Sequence, residues 1–258
     1  MMIRVLPARD GLVWIRDGLR LFGRRPISLL ASIAAGMLLV FVPALVPPIG
    51  PVLAAILAPI ASLGMSAACR AVDGGQVPGL RVYAQALRDA GTRRDLLMLG
   101  AINAVAYLLL SALAHVAGLD HAVVSVQRPN QEARIAVDPA LLALQVALYV
   151  PIWMANWLSP LLVGWHRLPP PKAMFYSFFA CWRNRWPLLT FLCGSAGGSA
   201  AVAVLLLTPA AMLIADARSA ALMIAPVSLG LLAAFQCSVF RMYLQIVEDP
   251  QPAVPRFA

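Results

Sequence analysis

Two stripes of polar and aromatic side chains carry most of the chemistry this sequence offers. Asn103, Tyr107, Ser111 and His115 follow one another at i, i+4 spacing inside an apolar stretch. Gln145, Tyr149, Trp153 and Trp157 do the same in the next one, with Asn156 beside them. Residues four apart stack on one helix face, so each stretch presents one polar-aromatic stripe, and the two could face each other. Facing stripes can line a pathway or a ligand pocket in a helix bundle. They can also be interhelical glue, worth about 0.6 kcal/mol per contact. Glue is the plainer reading, because such residues are common in helix interfaces. His115 lies near the outer end of its stripe and reads as an interfacial histidine.

Other reactive side chains are scattered. Cys69, Cys181, Cys193 and Cys237 include no C-x-x-C pair, and none falls in a segment expected outside the cell, so free thiols are expected. His115, His121 and His166 lack metal-ligand spacing. Gly74-Gly75 and Gly79 are not followed by the G-K-[ST] that a phosphate cradle needs. No acidic residue sits inside an apolar stretch, which weighs against a proton- or sodium-coupled carrier. An enzyme is not expected, nor is a cofactor or a metal.

The elements that position these stripes are set by composition. The chain has 258 residues, 61% hydrophobic and 12% charged, with a mean hydropathy of +0.81. Soluble domains run near half apolar and a quarter charged. An ordinary cytosolic enzyme, a disordered tail and a secreted disulfide scaffold are excluded, leaving an all-α polytopic membrane protein. The net charge of +9 comes from nineteen arginines and Lys172 against eleven acids. Nucleic-acid binding needs a solvated basic face. Here the arginines sit in short segments between apolar stretches, so no nucleic-acid partner is expected.

Crossing a hydrocarbon core of roughly 30 Å takes about twenty apolar residues. Six stretches qualify, near 27–46, 51–72, 96–118, 140–165, 187–215 and 220–246, forming one integral membrane domain over 1–258. Pro47-Pro48-Ile49-Gly50-Pro51 reads as a hairpin joint. Seventeen of the twenty basic residues fall in 1–26, 70–95, 166–186 and 241–258. The positive-inside rule then places both termini in the cytoplasm of a bacterial inner membrane. The first apolar run starts too late and runs too long for a secretory signal, so it is read as an uncleaved span. Asp216 and Arg218 mark a short periplasmic turn. The longer periplasmic loop, 119–139, carries Val123, Val124, Val126, Ile135 and Val137 around a Pro129-Asn130 turn signal, and reads as a two-stranded hairpin.

One unit recurs three times: an interfacial amphipathic helix, a basic stop and a transmembrane hairpin closing on an arginine (Arg70, Arg167, Arg241). In the first copy Leu12, Ile15, Leu19 and Phe22 form the apolar face, with Arg9, Arg16 and Arg20 opposite, ending at Arg24-Arg25-Pro26. The second has Leu80, Tyr83 and Leu87, ending at Arg93-Arg94. The third has Phe175, Phe178, Phe179 and Trp182, ending at Arg183-Asn184-Arg185-Trp186-Pro187. Trp14, Trp182 and Trp186 are expected as interfacial anchors together with those arginines. Gly64/Ala68, Gly194/Gly198 and Gly230/Ala234 are small-xxx-small pairs that let helices approach closely. Pro59, Pro151, Pro160, Pro209 and Pro226 should kink their spans.

Three segments resemble an uncharacterised proteobacterial family of multi-span inner-membrane proteins. They are Pro7, Gly11, Trp14, Gly18, Leu21-Phe22 and Pro26; Gly64-Met65-Ser66-Ala67-Ala68-Cys69-Arg70; and Ala173, Ser177, Ala180-Cys181, Arg183-Asn184 and Pro187. The resemblance covers most of the chain. It implies an integral inner-membrane protein and brings no activity. The sequence departs from the family around Asn156-Trp157-Leu158-Ser159-Pro160, where a more apolar pattern is usual. Two functions stand from these readings. One is a non-enzymatic component that organises lipid, chiefly anionic headgroups at the cytoplasmic face, or a protein partner. The other is a transporter or channel for a small neutral or lipidic solute.

Overall fold

The computed structural model describes residues 2–116, 123–126, 134–207 and 217–248. In chain order the elements are β1 (Met2–Ile3), α1 (Asp10–Arg24), α2 (Pro26–Ala44), α3 (Gly50–Asp73), α4 (Arg81–Arg88), α5 (Ala90–Val116), β2 (Val123–Val126), β3 (Arg134–Val137), α6 (Pro139–Trp157), α7 (Ser159–His166), α8 (Pro170–Arg183), α9 (Arg185–Val202), α10 (Ala217–Ile246) and β4 (Val247–Glu248). Helices dominate. Among the described residues, six helical stretches are long and apolar enough to cross a membrane: Pro26–Ala44, Gly50–Asp73, Ala90–Val116, Pro139–His166, Arg185–Leu205 and Ile224–Ile246. The protein is an all-α polytopic membrane protein. Its helices leave large apolar side chains such as Leu38, Phe41, Leu109 and Leu189 exposed, as lipid-facing surfaces do.

The threefold order of elements is plain. A short helix precedes a long one at α1–α2, α4–α5 and α8–α9, each time across a single residue: Arg25, Asp89 and Asn184. The first break is a pre-proline effect. A proline disfavours helical backbone at the residue before it, and Arg25 is extended, with φ −149°, ahead of Pro26. At the start of α6, the Asp138 carboxylate accepts from the N–H groups of Ala140 and Leu141 at 2.9 and 3.2 Å, and Pro139 takes the position where no N–H is needed. Strands β2 and β3 pair antiparallel, Val123 opposite Val137 and Val126 opposite Arg134. The hairpin expected in 119–139 is therefore present. Its Pro129-Asn130 turn, with Asp120, His121, Arg128 and Glu132, lies outside the described residues, as do Pro209 and Asp216.

The fourth span is not one helix. It breaks at Leu158, between α6 and α7. Pro160 has no N–H to give the Asn156 carbonyl, and the Ser159 hydroxyl donates there instead at 3.2 Å. The fully buried Ser177 hydroxyl of α8 enters the helical ladder one step earlier. It accepts from Leu158 N at 3.0 Å and donates to Met154 O at 2.7 Å, replacing the direct bond between those two groups. The kink thus has two named causes, and both lie in or against the segment 156–160.

Expected as one membrane domain, the chain clusters into two compact units. The first comprises Met1–Leu38, Ala61–Asp89 and Phe179–Ala258; the second comprises Leu39–Ile60 and Ala90–Phe178. In the second unit the tip of the first hairpin reverses tightly, with Gly50 N donating to Val46 O at 2.6 Å. Gly100 lets α5 approach the backbone of Ile56, because a Cβ there would stand 2.7 Å from the Ile56 Cα. In the first unit β1 pairs with β4, Met2 opposite Glu248 and Ile3 opposite Val247. Both ends of the described chain therefore lie on the same side.

Candidate functional site

The site is built around α1. The sequence pattern puts Leu12, Ile15, Leu19 and Phe22 on its apolar face, yet the structure buries Gly11, Trp14, Gly18 and Leu21. Leu12 and Leu19 are 55% and 52% exposed. The reason is steric. A Cβ at Gly18 would fall 2.6 Å from the backbone N and Cα of Ser238 in α10, and one at Gly11 would fall 2.7 Å from the Phe191 N in α9. Only glycine admits such contact, and with no hydrophobic drive between helices in lipid, close packing decides which face goes in. Trp14 corrects a second expectation. It is fully buried, so it is no interfacial anchor. Its ring meets Phe191 edge-on at 6.0 Å, and Phe191 stacks on Phe235 at 5.2 Å. Its indole N–H donates to the Gln245 Oε1 at 2.8 Å, satisfying the one polar group of the ring.

The chain ends are sewn to the same place. Arg4 N donates to Ile246 O at 2.9 Å. Asn184, fully buried at the α8–α9 joint, accepts from Leu6 N and donates to the carbonyls of Arg4 and Ala180, all at 2.9 Å. One amide thus ties the N-terminal segment to the joint. Beyond the other end of α1, Asp73 receives Arg241 through both carboxylate oxygens and Arg24 at 3.3 Å, while Arg25 donates to Gly75 O at 3.3 Å. These pairs lie 49 and 168 residues apart in sequence, so periodicity could not reveal them.

Below α1, an open groove of about 160 Å³ runs between α9 and α10. Ile15 and Leu19 close its upper end. Gly194, Ser195, Gly198, Ser199 and Val202 form one wall, and Leu231, Ala234 and Phe235 the other. Gly194 gives way to the tips of Ile15 and Leu12. Gly198 has nothing within 4 Å of where a Cβ would stand, and the same holds for Gly230 on α10. So Gly198 and Gly230 are not the close helix contacts expected of them, although Ala234 is buried. Gly64 is closed over, but by the ring of Tyr83 and not by a helix backbone; Ala68 beside it is buried. Tyr83 donates its hydroxyl to Ser32 O at 2.6 Å, and burial pushes its phenol well above the ordinary value. This docks α4 on the first hairpin.

The two polar stripes fare differently along their lengths. The Asn103 Oδ1 and Asn156 Oδ1 are buried without a hydrogen-bond partner among the described residues. Gln145 is half-buried. Tyr107 and Tyr149 are 42% and 38% exposed, and Ser111 and His115 are exposed as well. The outer parts of the stripes therefore do not close on each other; the helices that carry them are open there, as neighbouring Leu109, Val116 and Val146 also are. Among the anchors, Arg24, Arg25, Arg93, Arg94, Arg183, Trp182 and Trp186 are exposed. Arg185 lies 5.8 Å from both indole rings of Trp182 and Trp186. In α8 the bulky Phe175, Phe179 and Trp182 point outward, while Ala173, Ser177, Ala180 and Cys181 are buried.

A probable inner membrane protein of Burkholderia thailandensis is 30% identical to this chain over 267 aligned positions, covering 99% of this chain and 97% of that protein. No family model matches the sequence, and no solved structure matches it.

Proposed function

The chain belongs to that family of inner-membrane proteins, and on that premise we propose that it is a non-catalytic membrane component that holds anionic lipid headgroups along the surface carrying its two ends. The observation behind this reading is the exposed flank of α1 that borders the α9–α10 groove. There the exposed Leu12 and Leu19 lie beside the exposed Arg9, Arg16 and Arg20. At 100° per residue, Leu12, Leu19, Arg16, Arg9 and Arg20 fall within about 100° of arc, so the arginines flank these leucines and do not stand opposite them as expected. An apolar stripe with arginines along its edge suits a helix at the headgroup level, the leucines in the acyl boundary and the arginines on phosphates. Each basic residue near an anionic surface is worth about 1 kcal/mol. The bias of seventeen basic residues out of twenty supports a cytoplasmic position for both ends.

The test is direct. Protein extracted in mild detergent is analysed for co-purified lipid, wild type against Arg9→Gln/Arg16→Gln/Arg20→Gln. Enrichment of phosphatidylglycerol over phosphatidylethanolamine, reduced in the variant, is expected. Equal recovery of both lipids by the wild type refutes the reading. Fusion of green fluorescent protein or alkaline phosphatase to the C-terminus tests the orientation: fluorescence without phosphatase activity is expected.

A second reading, passage of a small neutral solute, is favoured by one observation. The buried Asn103 and Asn156 carbonyl oxygens lack a hydrogen-bond partner among the described residues, and such groups in a membrane interior call for water or a ligand. Single cysteines at Asn103 and Gln145, challenged with a membrane-impermeant thiol reagent, test it. Labelling supports water entry; protection of both sites, with cysteines in 119–139 reacting, removes the reading.

A further inference from the structure

We infer that the groove beneath α1 seats one acyl chain of an anionic phospholipid whose phosphate lies on Arg16 and Arg20; this deepens the lipid reading above and rests on it. The groove follows α9 from Gly194 to Val202, eight residues or about 12 Å at 1.5 Å per residue. The groove is open along its side, and the exposed Arg16 and Arg20 beside its capping residues favour an anionic lipid as its occupant. The walls are apolar or small, and the Ser238 hydroxyl, which lines the groove, is already committed to the Ala234 carbonyl at 2.8 Å. The Ser195 and Ser199 hydroxyls are the other polar groups on the walls.

The upper end supplies the headgroup contacts. Ile15 and Leu19 cap the groove, and the next residue after each is an exposed arginine, Arg16 and Arg20. Both face Asp17, at 3.0 and 3.7 Å, so the three side chains form one cluster with a net positive charge. Between residues 9 and 25 there are five arginines and two aspartates. The glycines fit the same picture. Gly197 and Gly198 sit in mid-helix, where glycine is disfavoured, yet among the described residues no neighbour requires them there. A larger residue at 198 would fill the groove. An acyl chain in a bilayer gains nothing from the hydrophobic effect by moving onto protein. Retention must therefore come from the fit of the groove and from the charge at its mouth, and it should select for headgroup.

Native mass spectrometry of the full chain in mild detergent, supplemented with phosphatidylglycerol or phosphatidylcholine of identical chains, tests this. The wild type should retain one phosphatidylglycerol in preference to phosphatidylcholine. Gly198→Leu should lower that retention at least tenfold, and Arg16→Gln/Arg20→Gln should make the two lipids equal. Gly23→Leu, at an open position outside the groove, should behave as wild type. Ser199→Leu on the same wall decides the matter if Gly198→Leu fails to fold. Wild-type preference that survives both groove-filling variants overturns the groove and leaves the lipid-binding surface standing. Absence of any preference overturns both. A dimer that replaces the lipid and is lost in Gly198→Leu makes the groove an interface between copies and overturns the inference.

Discussion

Two glycines of α1, five residues apart, should respond in opposite directions to the same substitution. Gly18 faces α10, and its added Cβ would meet the Ser238 backbone at 2.6 Å; Gly23 has nothing within 4 Å. Replacing a helical glycine by alanine gains up to about 1 kcal/mol through propensity at either place. At Gly23 nothing offsets that gain. At Gly18 the obstacle is backbone, which cannot swing aside as a side-chain tip can, so α1 must lift and loosen the seat of Trp14. Overpacking of this kind costs about 1–3 kcal/mol. Propensity cancels when the two variants are compared, leaving the clash. At roughly 2–4 °C per kcal/mol for a chain of this size, Gly18→Ala should melt about 2–12 °C below Gly23→Ala. Thermal denaturation of the detergent-solubilised protein, followed by intrinsic tryptophan fluorescence, reads this difference. Equal midpoints, or Gly18→Ala the more stable, would mean that α10 is not seated against Gly18, and the groove bounded by α1 would lose its upper end.

Further outcomes follow from the same geometry. Ser177→Ala deprives Leu158 N and Met154 O of their shared partner and should cost about 1–3 kcal/mol, lowering the melting midpoint, whereas Ser177→Thr keeps the hydroxyl and should recover part of it. Asp73→Asn leaves Arg241 and Arg24 without their carboxylate; the midpoint should fall, and adding Arg241→Gln should restore some of it, a coupling that a double-mutant cycle measures. In native membranes a membrane-impermeant maleimide should spare Cys193, whose exposed side chain lies on the membrane-spanning stretch Arg185–Leu205 and faces lipid, as it spares the buried Cys69, Cys181 and Cys237; mass spectrometry of the peptides checks this, and in denaturing detergent all four should label. Burial pushes the Cys181 thiol up to about 12. Its raised value means the contribution to stability is whole below the free-thiol range near 8.5 and is lost as pH rises toward 12. Alkaline destabilisation should therefore lessen in Cys181→Ala, and an unchanged pH profile would contradict that burial.

The number and kind of elements were legible because length and apolar content alone decide what can span a membrane. The six stretches, the tight joint before Gly50, the β2–β3 hairpin and the kink at Pro160 all follow from local rules. The buried face of α1 was not legible, and the failure is instructive. Two stripes compete on that helix: Leu12, Ile15, Leu19 and Phe22 against Gly11, Trp14, Gly18 and Leu21. Burying the larger apolar stripe is the rule in water. In lipid, large side chains are at home outside, and the face with small residues goes in. The same inversion governs α8, where Phe175 and Trp182 are exposed and Ala173 and Ser177 buried. Two glycines seven apart beside a tryptophan were the available signal. The polar ties through Asn184 and Asp73 were out of reach, since their partners come from distant parts of the chain.

The repeat keeps the order of elements while its chemistry diverges, and this bears on where function resides. A site on a shared axis would need equivalent positions to carry equivalent groups in each copy. The three single-residue joints are Arg25, Asp89 and Asn184. Arg25 donates to a loop carbonyl, while Asn184 is buried and makes three hydrogen bonds to the N-terminal segment and its own helix. The short helices differ as much: α1 is seated through glycines, α4 through one tyrosine hydroxyl, and α8 through a serine that enters another helix's ladder. Threefold equivalence is thus confined to the backbone plan. The features that set one copy apart, an arginine-edged α1 lying over an open groove of α9 and α10, combine the first and third copies. Function is better sought in that asymmetric contact than on a common axis, and Gly198→Leu is the substitution that separates the two locations.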